Sequence, residues 1–77
     1  MAQPFYRISK ITNKRYDLFS IVKIINLKQI EAYIKNGATV LDIEIGENYK
    51  TGNPMVVFYF DRAETQDLYD KWCKHEL

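Results

Sequence analysis

A chain of 77 residues with a formal net charge of +1 and one cysteine, Cys73, has room for one small core and none for an internal disulfide. No apolar run approaches the ~20 residues that span a bilayer, and the opening Met1-Ala2-Gln3-Pro4-Phe5-Tyr6-Arg7 lacks the apolar stretch of a secretory signal. The expectation is a single domain over residues 1–77, with no membrane span, in the reducing cytoplasm.

The small net charge conceals an asymmetry. Residues 1–35 carry seven basic against two acidic side chains, and residues 36–77 carry four against eight. Either the halves pair with each other in the folded chain, or a basic N-terminal arm meets an acidic partner. No basic block is longer than Lys14-Arg15, which favours internal pairing.

Residues 5–11, Phe5 to Ile11, read as an extra strand or as part of a basic arm over residues 1–15, with Thr12-Asn13-Lys14-Arg15 able to turn the chain. The core then spans residues 16–77. From Tyr16 to Ile25 the residues Leu18, Phe19, Ile21, Val22, Ile24 and Ile25 predict a strand. Asn26 with Gln29 three residues on has the form of a capping box, and Leu27, Ile30 and Ile34 follow a helical period. Asn36-Gly37 closes that helix, with Gly37 suited to the left-handed position after a helix end. Thr39, Leu41, Ile43 and Ile45 alternate with Val40, Asp42 and Glu44, which predicts a strand with one buried and one solvated face, suited to a sheet edge. Residues 46–54 are dense in turn formers and predict a hairpin loop.

Met55-Val56-Val57-Phe58-Tyr59-Phe60 is apolar on both faces and predicts a central strand that needs cover on two sides. Asp61, with Glu64 three residues on, caps a second helix whose apolar stripe is Leu68, Tyr69, Trp72 and Cys73. Lys71, Lys74 and His75 complement its C-terminal dipole. The order strand-helix-strand-strand-helix predicts a two-layer α+β domain. Its sheet has three or four mainly antiparallel strands and room for the extra N-terminal one.

Such a chain has more apolar surface than two helices on one face can cover. One sheet face would lie in the core under Ile30, Ile34, Leu68 and Trp72. The other sheet face would show Met55, Val57 and Tyr59, with Phe19 and Ile21 (or Leu18, Val22 and Ile24) beside them. The second helix, the N-terminal segment, or another molecule must cover it. In the last case Met55, Val57, Tyr59, Phe19 and Ile21 form a binding surface for a protein partner or for a second copy in a twofold homodimer.

Chemistry beyond binding has little to stand on. His75 and Cys73 are two apart on a helix and diverge, which makes a poor metal site and no nucleophile–base pair. Asp42 and Glu44 share a strand face, but a solvated face accounts for two carboxylates without further ligands. Gly46 to Thr51 lacks the second glycine and following helix of a phosphate loop. The expectation is a non-enzymatic interaction module with no cofactor and no small-molecule substrate. The alternative is nucleic-acid binding through Arg7, Lys10, Lys14 and Arg15, with strand aromatics stacking on bases. The strand at 55–60 has no Lys or Arg, which counts against it.

Residues 26–72 resemble small uncharacterised proteins of phages and integrative mobile elements in Gram-positive bacteria. The resemblance is carried by Tyr33-Ile34-Lys35-Asn36-Gly37-Ala38, Thr51-Gly52-Asn53-Pro54, Val57-Phe58-Tyr59-Phe60-Asp61 and Leu68-Tyr69. These are a helix stop, a hairpin loop and a capped core strand. The resemblance implies a fold and a genomic context, that of an accessory protein, and assigns no functional residue.

Overall fold

The computed structural model describes residues 5–77. Met1–Pro4, the start of the expected N-terminal arm, lie outside them. The elements are β1 (Tyr6–Ile8), β2 (Arg15–Asp17), β3 (Ile21–Ile24), α1 (Leu27–Lys35), β4 (Val40–Glu47), β5 (Pro54–Asp61) and α2 (Arg62–Cys73). They make a small α+β domain with a two-stranded sheet, β1-β2, and a three-stranded sheet in the order β3-β5-β4, all antiparallel.

The uncharged run at 55–60 takes the centre of the larger sheet, where both of its faces are covered. On one face Ile30 and Tyr33 of α1, with Leu68 and Trp72 of α2, pack against Ile24, Phe58 and Phe60. Ile34, expected in this core, is exposed. The buried stripe of α1 runs through the i, i+3 pair Ile30 and Tyr33 instead. There the Tyr33 ring meets Phe60 edge-on at 5.4 Å between centroids.

The predicted strand at 16–25 is two strands. The Asp17 carboxylate accepts the Phe19 N–H at 2.8 Å, and the Ser20 N–H donates to the Asp17 carbonyl at 3.2 Å. This aspartate turn breaks the run at Leu18–Ser20. It lets β2 pair back on β1, so the expected extra strand belongs to a separate hairpin rather than to the main sheet. That hairpin covers the second face of the large sheet: Tyr16 packs with Ile21 and Tyr59, and Leu18, Leu41 and Val57 close around them.

The even alternation expected in β4 is interrupted. The register passes from Val40 opposite Phe60 to Asp42 opposite Tyr59, which leaves Leu41 as an extra residue, a β-bulge. Beyond the bulge every side chain changes face relative to Val40. Val40 therefore packs in the helix-side core, while Leu41 joins Asp42 and Glu44 on the hairpin side. Asp42, expected in solvent, is only 5% exposed.

Both helices begin at the expected caps. The Asn26 side chain accepts from the N–H of Lys28 and Gln29, and Asp61 from that of Glu64. The reciprocal halves of the two capping boxes are not formed. Gln29 instead donates its amide to the Tyr33 hydroxyl at 3.0 Å, and Glu64 accepts the Thr39 N–H, tying α2 to the start of β4.

Both helices also end in the same way. Gly37 (φ 88°) follows α1 and His75 (φ 59°) follows α2, each in the left-handed region. The Ala38 N–H reaches back to the Tyr33 carbonyl, and the Glu76 N–H to that of Lys71. His75 is thus a helix stop that bears a side chain where glycine costs least. His75→Gly should raise stability by about 1 kcal/mol in urea unfolding. A loss would show that the imidazole makes a compensating contact.

Candidate functional site

The face first expected to receive a partner is closed by the β1-β2 hairpin. Tyr59 is 1% exposed and Ile21 5%, Val57 is half-buried beside them, and Met55 lies towards the hairpin tip outside both core clusters. Phe19 does not join them. It is 67% exposed, in the turn between β2 and β3, with its ring 5.0 Å from that of Phe5. Of the three covers considered, the N-terminal segment is the one observed, and a surface centred on Tyr59 and Ile21 is not accessible.

A polar seam runs through that cover. The Tyr16 hydroxyl donates to Asp42 Oδ2 at 2.7 Å, and the Lys10 N–H donates to Oδ1 at 3.2 Å. The Tyr59 hydroxyl donates to Glu44, which also pairs with Arg7 at 3.5 Å. Burial alone would push the Asp42 carboxyl up. The Tyr16 hydroxyl, the Lys10 and Ile43 N–H groups and the Lys10 charge outweigh it and hold the carboxyl below its usual range. Glu44 is held low first by the Tyr59 hydroxyl, against a burial effect, with Arg7, Lys23 and Lys10 adding attraction. Burial, then the bond to Asp42 and the Asp42 charge, push the Tyr16 phenol up to about 12. Within this seam the Arg7–Glu44 pair joins the basic first half of the chain to the acidic second half, one instance of the internal pairing expected from the charge split.

The four basic residues of the alternative site come together on the hairpin, but two are engaged. Arg7 pairs with Glu44, and the Arg15 guanidinium lies over the Tyr6 ring at 4.8 Å. Lys14 follows the turn at Ser9–Asn13, and Lys10 faces the acidic side chains of β4. Among the described residues no cluster of three or more His, Cys, Asp or Glu side chains is placed to hold a metal ion. No helix of the described residues is long and apolar enough to cross a membrane.

What stays open is the outer edge of β3. Among the described residues no strand pairs with that side. The Arg62 N–H donates to the Ser20 carbonyl at 2.8 Å, across a pair in register with Val22–Phe60 and Ile24–Phe58. Antiparallel alternation then turns the N–H and C=O of Ile21 and Lys23 outward. The Arg62 guanidinium takes the Ile21 carbonyl at 3.2 Å. Beside this edge a groove of about 480 Å³ opens between the helices. Its floor is Val22, Ile24 and Ile25, and its walls include Gln29 and Tyr33 of α1 and Thr65 and Tyr69 of α2. No acidic residue lines it; Arg62 and Lys23 do, but the Lys23 ammonium lies over the Tyr59 ring on the opposite face of the sheet.

Sequence reasoning passed over this edge because the whole run 16–25 read as one long apolar strand. The signal available was Lys23, a charge inside that run of the kind that guards sheet edges. No protein-family model, curated protein or solved structure matches this chain.

Proposed function

We propose that this chain is a non-enzymatic protein-interaction module of the cytoplasm, which holds an extended segment of its partner along β3. The observation that carries this reading is the outer edge of β3, paired with no strand among the described residues, beside a groove of about 480 Å³. Main-chain pairing would supply affinity, and the groove would select alternate side chains. The groove offers amides, phenols and apolar surface, which are means of binding. A role as an accessory protein of a phage or mobile element fits a small adaptor of this kind, and the genes beside its own test that context.

The nucleic-acid reading draws on Lys14 and on Arg15 over Tyr6, since Arg7 is spent on Glu44. Binding to oligonucleotides that weakens steeply with salt would favour it.

The test of the edge is amide mapping. Peptides selected from a random displayed library on the folded chain are titrated into the labelled protein. The largest shifts, and new protection from exchange, are expected at Ile21 to Ile25. Shifts centred on the β1-β2 hairpin or on the tip of β4-β5 would sink the reading.

A further inference from the structure

We infer that the segment received by β3 is acidic and apolar in alternation, with a carboxylate side chain directly opposite Lys23 and apolar side chains on either side of it. The inference rests on the docking reading above and specifies its ligand.

Pairing geometry sets the pattern. Lys23 turns its N–H and C=O outward, so a strand added antiparallel to β3 forms its close hydrogen-bonded pair with Lys23 itself. The side chain of the residue opposite Lys23 falls on the same face as the Lys23 side chain. That face is turned away from the helices, and there the ammonium lies over the Tyr59 ring at 5.4 Å from its centroid. Neighbouring residues of the added strand project to the other face, towards Val22, Ile24 and the groove. The face beside Lys23 therefore favours a carboxylate, and the groove favours apolar side chains.

Arg62 marks one end of the site. With one N–H on the Ile21 carbonyl, the guanidinium keeps its other donors for a second carboxylate and blocks continued pairing past Ile21.

The same chemistry argues against other occupants. Two copies paired edge to edge about Lys23 would place lysine opposite lysine, an unfavourable cross-strand pair. A phosphate backbone supplies acceptors but has no donor for the outward Lys23 carbonyl, whereas a peptide strand supplies both.

The test is the composition of peptides selected from a random displayed library on the intact chain, read with Lys23→Gln and Lys23→Glu variants. Selected peptides should show an Asp or Glu at one position flanked by apolar residues. Lys23→Gln should weaken them about threefold and Lys23→Glu about tenfold or more. Lys23→Gln is the cleaner variant, because it places no new carboxylate near Glu44. Peptides that map to β3 with no acidic preference, or that ignore both variants, overturn the inference and leave strand docking standing. Peptides that map elsewhere, or no enriched peptide at all, overturn docking itself. Self-association that rises with concentration and is lost in Lys23→Glu, or oligonucleotide binding at β3, overturns the choice of occupant.

Discussion

Phe60→Ala is expected to abolish cooperative folding at room temperature. Phe60 is 0% exposed, sits on the central strand, and belongs to the core in which Ile30 and Tyr33 of α1 and Leu68 and Trp72 of α2 pack on the sheet. Truncating a buried phenylalanine costs about 3–5 kcal/mol. A single core in a domain of this size supplies no more than about that amount. The variant should lose amide-shift dispersion and give a urea curve without a cooperative step. Phe60→Leu keeps most of the volume and should cost roughly 1–2 kcal/mol with the transition intact. If Phe60→Ala unfolds cooperatively with a loss under about 1 kcal/mol, the Tyr16–Tyr59 cluster rather than the helix-side core carries the fold. Because the groove walls belong to α1 and α2, peptide binding at β3 should disappear with the same substitution.

That core was largely legible in the sequence. The 55–60 run is apolar on both faces, and its central place followed from that alone. The order of elements, the Asn26 and Asp61 caps and the Gly37 stop were readable because each rests on residues adjacent in the chain. The failures share one physical cause, which is a local geometry that outranks periodicity. At Asp17 the side chain captures the Phe19 N–H and the main-chain carbonyl captures that of Ser20, which folds an apparent strand into a hairpin. At Leu41 one extra residue moves Asp42 from its expected solvent face to beneath Tyr16. Propensity averages over such single residues and so misses them. The consequence for the candidate site is direct. Without the Asp17 turn, the N-terminal segment could not cover Tyr59, and β3 would not end as a short free edge between the helices. The apolar area expected to be open at Val57 and Tyr59 is covered from within the chain. Its cover came from the stretch of sequence with the weakest strand signal.

Asp42→Ala should cost about 3 kcal/mol and release the β1-β2 hairpin from the sheet before the rest unfolds. The carboxylate receives the Tyr16 hydroxyl and the N–H groups of Lys10 and Ile43, so its removal leaves a phenol buried without an acceptor. Amide exchange in β1 and β2 should rise more than in β4 and β5. Tyr16→Phe removes one donor and should cost about 1.5 kcal/mol, and the two changes together should cost clearly less than their sum. Additive costs would mean that the pair makes no specific contribution. The seam also sets the pH limits. Asp42 is held below its usual range, so its contribution is complete above the ordinary carboxylate pKa and fades as pH falls through the lowered value. Tyr16 titrates at about 12 against 10 for a free phenol. Its contribution is complete below pH 10 and fades as pH rises towards 12. Unfolding free energy against pH should therefore show a plateau with an acid and an alkaline limb. Tyr16→Phe should flatten the alkaline limb while Asp42→Ala weakens both, since the carboxylate helps to raise the phenol. An alkaline limb unchanged in Tyr16→Phe would assign it to Tyr59, whose phenol is also raised, first by burial and then by its bond to Glu44.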